Sequence, residues 1–214
     1  MGSTNTLPAL RDFPRLLSSY RWDDYHAAFG WPVDCLDTGF PWIVALEDQF
    51  RAAMEQNVLP PLSLVTEMIL WAGNQNNVLG KFSKDLRAIG YETFIRRVVD
   101  SLDDPSLALE SAMAVKGFGL TYGSKLLRFC RPMDYGALDS RILRALRNEV
   151  GAPSSYPSTM RKQYRVFLDL LHDYQRRLRT TEVTRPSYAS RAASTEWTAA
   201  EAEMALFAWA SSQS

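Results

Sequence analysis

Apolar residues recur at three- and four-residue spacing along most of this chain, and that spacing predicts helices. From Pro41, the residues Ile43, Leu46, Phe50 and Met54 form one helix face, and Pro60-Pro61 ends the run. Ser63 can open the next helix, which Leu64, Met68, Ile69 and Trp71 carry to Gly73. The polar run Gly73-Asn74-Gln75-Asn76-Asn77 predicts a turn. A helix with Val78, Phe82, Leu86 and Ile89 inward follows it, ending at Gly90. Tyr91 to Leu102 reads as helical, and Asp103-Asp104-Pro105-Ser106 as the start of a helix that ends at Val115. Further helices are expected over about 121–130, 139–149, 159–179 and 198–211, the last amphipathic through Met204, Leu206, Phe207 and Trp209. No run alternates β-branched with polar residues, and there is no internal repeat. The expected class is all-α, with short helices and short connections.

Two segments differ from this pattern. Residues 1–40 interleave Trp22, Tyr25, Phe29, Trp31 and Phe40 with Pro14, Gly30, Pro32 and Gly39, which suggests a short helix near Asp23–Phe29 and then an extended loop. Residues 180–195, rich in Ser, Thr and Ala, read as a surface loop. The length of 214 residues suits a single domain, with 61–178 as its helical core. Apolar residues at 46% supply a sizeable core and argue against a mostly disordered chain.

Charge changes the picture only when it is read locally. The 24 basic and 24 acidic residues cancel, which excludes a uniformly basic nucleic-acid coat. Yet residues 116–147 hold seven basic side chains against two acidic ones, and 158–179 hold six against two. Residues 1–60 hold four basic against eight acidic. A basic C-terminal half beside an acidic N-terminal half suits phosphate contacts on one face, although basic helix faces are commonly just solvated. Cys35 and Cys130 are too few for a four-Cys zinc or iron–sulfur site and are expected as reduced, buried thiols. His26 and His172 show no ligand spacing, so no transition-metal site is expected. The start MGSTNTLPALRDFPR carries no apolar signal core, and no run approaches the roughly 20 apolar residues of a bilayer span, so a cytoplasmic location is expected.

The most informative stretch is Val115-Lys116-Gly117-Phe118-Gly119-Leu120-Thr121-Tyr122-Gly123-Ser124-Lys125. An apolar residue between two glycines, with a helix on each side, predicts a tight two-helix hairpin. Such glycines permit positive φ and close approach, and the N–H groups opening the second helix favour an anion such as phosphate. Gly123 and Ser124 are small where the two helices should cross. Read in isolation, the same stretch is an ordinary helix end and restart. Downstream, Leu138-Asp139-Ser140-Arg141-Ile142 puts a carboxylate at the start of a helix, where Asp139 is also a natural N-cap.

Together these residues resemble the helix-hairpin-helix DNA glycosylase superfamily, the group containing endonuclease III, adenine glycosylase and 8-oxoguanine glycosylase. The resemblance is specific over 115–146 and extends more weakly over about 61–178, with the hairpin at 107–130. It implies a two-lobed helical fold, a double-stranded DNA partner, monomeric action and a DNA phosphate held at Lys116, Gly117, Phe118 and Gly119. It also implies a catalytic Asp139, with Ser124 and Arg141 among the DNA contacts, and a polar wedge at Asn74, Gln75 and Asn76 that fills the gap left by an extruded base. Relatives often hold a monovalent cation at the hairpin through backbone carbonyls. No other cofactor is implied, since the iron–sulfur cluster of several relatives needs four cysteines.

Thr121 occupies the position where strand-cleaving members carry a lysine nucleophile. The resemblance therefore implies a monofunctional enzyme that hydrolyses the N-glycosidic bond of a damaged or modified base, in repair or in defence against modified foreign DNA. Lys125, one helical turn further on, reads either as a solvated surface lysine or as a group reaching the site. The rival readings are a DNA-binding hairpin module without chemistry and a helical protein–protein module. The N-terminal aromatics fit the core or a stack on the extruded base.

Overall fold

Asn77, Asp104, Asp139 and Thr198 each cap the helix that follows them through a side-chain hydrogen bond. The computed structural model describes residues 7–20, 41–186 and 196–213. The expected helix near Asp23–Phe29, the aromatics from Trp22 to Phe40, and Cys35 lie outside these residues. The described residues form eleven α-helices and no strand, so the fold is all-α. They are α1 (Phe13–Ser18), α2 (Pro41–Glu55), α3 (Leu62–Trp71), α4 (Val78–Ile89), α5 (Tyr91–Asp100) and α6 (Pro105–Ala112). Then come α7 (Leu120–Cys130), α8 (Ser140–Ala145), α9 (Arg147–Val150), α10 (Pro157–Thr180) and α11 (Ala199–Ser212). None is long and apolar enough to cross a membrane.

Three expectations are corrected. α3 opens at Leu62, ahead of Ser63, because Pro61 holds an extended ψ of 156° and its carbonyl accepts from Leu64 and Val65 N–H. The helix expected over 139–149 is broken at Leu146, whose ψ of 24° separates α8 from α9. The last helix is not amphipathic: every residue from Ala199 to Phe207 is buried. It packs against α1, α8 and α10, so neither of its flanks meets water. That burial takes Glu201 and Glu203 inside, where each finds an arginine. Arg185 grips Glu201 with Nη2 to Oε1 at 2.6 Å, and Arg128 Nε lies 3.1 Å from Glu203 Oε2. The buried N-terminal end of this helix also explains its capping box, in which Thr198 and Glu201 satisfy each other's backbone N–H groups.

The core is one continuous apolar cluster running from Phe13 to Ala210. Its centre for the hairpin is an aromatic set: Phe118 stacks on Phe82 at 4.9 Å and meets Phe94 edge-on at 6.1 Å. The α6–α7 crossing is tight, as expected at Gly123. A β-carbon there would lie 3.2 Å from both Leu109 and Met113. Cys130 is buried and free, and burial pushes its thiol up to about 12.

Candidate functional site

The turn between α6 and α7 is built on one glycine rather than two. Gly117 has φ 96°, and a β-carbon there would sit 3.2 Å from the Val78 carbonyl and the Lys81 side chain. Its missing side chain lets the turn rest on the first turn of α4. Gly119 differs from expectation: its φ of −98° and ψ of −162° are extended backbone open to any residue. It N-caps α7 with no side-chain hydrogen bond, and no atom lies within 4 Å of where its β-carbon would be. The opening N–H groups of α7, which have no acceptor within the helix, are therefore approached past an uncovered backbone. Gly117→Ala is expected to lower stability by about 1–2 kcal/mol through its positive φ and the contact on α4. Gly119→Ala should change the denaturant midpoint by less than about 0.5 kcal/mol equivalent. Equilibrium urea unfolding separates the two.

Asp139 is positioned by a loop pinned from three sides. Ser124 Oγ accepts from Leu138 N–H at 2.9 Å and donates to Thr121 O at 3.1 Å, tying the loop to α7. From α10, Tyr164 OH donates to Gly136 O at 3.0 Å and Gln175 to Met133 O at 3.2 Å. From α11, Ala200 N–H donates to Pro132 O at 3.0 Å. Gly136 itself has no room for a side chain, since a β-carbon would meet Glu203 Cβ at 2.9 Å. At the end of this loop Asp139 N-caps α8, its Oδ1 accepting from Arg141 N–H at 2.7 Å. Its Oδ2 stands 4.0 Å from Lys125 Nζ. The two oxygens of this carboxylate are thus engaged separately, one in the cap and one toward Lys125.

Lys125 is not the solvated lysine of the simpler reading. Only 4% of it is exposed, and its Nζ lies 5.1 Å from the Trp71 ring centroid and 5.8 Å from that of Tyr122. Burial holds its ammonium below the ordinary lysine range, while the carboxylates of Asp139 and Glu203 pull the other way. The result is a buried amine beside a carboxylate in the wall of a cavity.

That cavity, of about 380 Å³, gathers most of the residues singled out in the sequence. Gly117, Gly119, Thr121, Lys125 and Asp139 line it, and so do Gln75 and Asn76 from the turn before α4. The volume is within the range of sites that enclose a small organic group. Gln75 and Asn76 are exposed on a turn of unusual backbone: Asn74, Asn76 and Asn77 all adopt left-handed φ between 44° and 55°. Gln75 N–H donates to Tyr122 OH at 2.9 Å, which fixes this turn to α7.

Several expected contacts fall elsewhere. Phe118 is buried in the aromatic core and Ser124 is fully enclosed, so neither faces a DNA backbone; both hold the hairpin and the Asp139 loop in place. Asn74 is a positioning group, its Oδ1 accepting from Leu79 N–H at 2.8 Å. Lys116 is exposed outside the cavity, with its N–H on Asp85 Oδ2 at 3.0 Å and its Nζ 3.7 Å from Oδ1. Arg141 is exposed over the Phe207 ring and does not line the cavity. The local positive charge is smaller than its count suggests. Lys125 and Arg128 are buried and ion-paired, and Arg131, Arg161, Arg176, Arg177 and Arg179 are each paired with a carboxylate.

Lys81, Ser140, Leu143, Ser154 and Met160, none of them expected at the site, also line the cavity. Lys81 carried a usable signal, since it falls on the polar face of α4 one turn from the predicted wedge. Among the described residues no group of three or more His, Cys, Asp and Glu side chains is placed to hold a metal ion. No family model, curated protein or solved structure matches the chain.

Proposed function

We propose that this chain is a DNA N-glycosylase that takes a flipped, damaged or modified base into the cavity and cleaves its bond to the sugar. One observation carries the reading: the hairpin glycines, the Gln75–Asn76 turn and the Asp139–Lys125 pair, distant in sequence, line a single cavity. Their chemistry is complementary. The start of α7 can hold a phosphate, the polar turn can occupy the space a flipped base leaves, and a carboxylate can stabilise positive charge developing on the sugar or activate water. Thr121 lines the cavity but offers no amine, which favours hydrolysis by water. The test is a panel of duplexes, each carrying one candidate base, incubated with purified protein and assayed for abasic product. No release across a broad panel overturns the reading. Salt-dependent duplex binding that survives Asp139→Asn, with no product, makes the chain a binding module instead. Gly119→Ala, which the fold accommodates, is expected to weaken duplex binding by several-fold, measured by fluorescence anisotropy.

Lys125 supports a second reading. A lysine amine held below its ordinary pKa in the cavity lining can attack the sugar C1′ as the base leaves, forming an imine that leads to strand cleavage. Borohydride reduction during turnover distinguishes the two. Covalent protein–DNA product that vanishes in Lys125→Met supports the amine route, and its absence with abasic product present supports hydrolysis.

A further inference from the structure

One stretch of the cavity lining has no part in the chemistry proposed above. Ser154 and Met160 belong to the segment that leads into α10, and Tyr156, the N-cap of that helix, stands between them in the chain. Tyr156 is 72% exposed, more than any other large apolar side chain that the described residues leave in water. A lone exposed aromatic is ordinary on a protein surface, but its mounting here is not. Its N–H donates to Ser154 Oγ at 3.1 Å and its carbonyl accepts from Met160 N–H at 3.0 Å, so both lining residues are bonded directly to its backbone. Pro157 follows it at the first helical position, with φ fixed by the pyrrolidine ring. Gln163 ties the other end of the loop, donating from Nε2 to Ala152 O at 2.6 Å. The tyrosine ring itself is left over: among the described residues no aromatic stacks on it and no group hydrogen-bonds its hydroxyl.

Positive charge accompanies it. Within the first three turns of α10, Lys162 and Arg165 are exposed and form no ion pair among the described residues, whereas their neighbour Arg161 is held 3.0 Å from Glu110 Oε2. In the cavity lining, Lys81 is likewise exposed and without an ion pair. We propose that Tyr156 is a stacking platform for a nucleobase that stays outside the cavity, the neighbour of the flipped one, and that Lys162 and Arg165 meet phosphates of the same strand. The proposal takes the position of that strand from the glycosylase reading, but it requires DNA binding only and not base release.

A nucleotide that leaves the duplex takes a stacking partner away from each neighbouring base, and that loss is part of what extrusion costs. An aromatic face beside the cavity replaces the lost partner. The backbone bonds of Tyr156 matter here, because a platform already held in place loses little freedom on binding. Every base has a π-face, so a stacked tyrosine contributes whatever the neighbouring base is. That suits a site in which only the flipped base is to be recognised. The two cations supply the complementary part, an attraction to the strand that depends on salt and not on sequence.

The experiment is fluorescence anisotropy of the full chain with a duplex that carries one tetrahydrofuran abasic analogue, a probe that needs neither a known substrate base nor turnover. Tyr156→Ala is expected to weaken binding by about 5- to 100-fold, the range of one lost base–aromatic stack. Tyr156→Phe, which keeps the ring face, should bind within about twofold of the unmodified protein. Because the ring touches nothing in the fold, thermal melts of both variants should match that of the unmodified chain. A salt titration separates the platform from the cations. Lys162→Met should lower the slope of log K against log salt by about 1, whereas Tyr156→Ala should leave it unchanged. Binding by Tyr156→Ala equal to that of the unmodified protein overturns the proposal, and so does a Tyr156→Phe protein as weak as Tyr156→Ala. Duplex binding that follows this pattern without any base release leaves the proposal standing and removes only the glycosylase reading. No duplex binding by the unmodified protein removes both.

Discussion

Asp139→Asn is expected to lower base release by about 10²–10⁴-fold, the range over which a positioned acid–base or charge-stabilising group contributes. The substitution is chosen to separate chemistry from folding. Asn is as good an N-cap as Asp, so the hydrogen bond now made by Oδ1 to Arg141 N–H survives. What disappears is the negative charge 4.0 Å from Lys125 Nζ. Single-turnover release on the best substrate of the duplex panel, together with a thermal melt, is the check. A melt close to that of the unmodified protein with release reduced at least a hundredfold supports the assignment. Equal release by both proteins removes Asp139 from the chemistry.

Arg128→Met is expected to be the most destabilising single replacement, at about 3–5 kcal/mol. Arg128 is completely buried, yet it carries the charge that the half-buried Glu47 and the buried Glu203 need: its Nη2 lies 2.5 Å from Glu47 Oε1 and its Nε 3.1 Å from Glu203 Oε2. Burial already raises the pKa of both carboxyls. Without the guanidinium, each must take up a proton or stay charged without a partner. The loss is a large fraction of the roughly 5–15 kcal/mol that holds an ordinary domain together. Urea unfolding at pH 8 measures it. The triple replacement Arg128→Met, Glu47→Gln, Glu203→Gln should recover much of the loss, because it removes the stranded charges with their partner. If the triple variant is no more stable than Arg128→Met, packing rather than charge explains the effect.

These two sites were unequally legible in the chain. Asp139 could be found because its signals are local: a helix start, an N-capping residue, and a fixed distance beyond a Gly-X-Gly turn. The polar turn before α4 is local in the same way, since successive Asn residues are suited to left-handed backbone. Arg128 could not be found, because nothing in Leu127-Arg128-Phe129 distinguishes a core arginine from a surface one. Its role depends on Glu47 and Glu203, which are brought to it from opposite ends of the chain. Lys125 was ambiguous for the same reason. Phe118 misled in the other direction. Placed between two glycines it suggested contact with a partner, whereas its ring is what fastens the turn to Phe82 and Phe94.

By itself, then, although α1 was not foreseen, the sequence determined the helices from α2 onward apart from the break between α8 and α9, most of their ends, the hairpin, and the residues that open α7 and α8. These depend on spacing and on backbone preferences felt within a few residues. Only the tertiary structure decided which charges are buried, which of the two hairpin glycines is sterically required, and that the Gln75–Asn76 turn, Lys125 and Asp139 line one cavity. Those outcomes depend on desolvation and on partners far away in the chain. The seven basic residues of 116–147 illustrate the difference: a count sees them as equal, but folding spends Lys125 and Arg128 on internal carboxylates, where each charge is held by what surrounds it rather than offered to a phosphate.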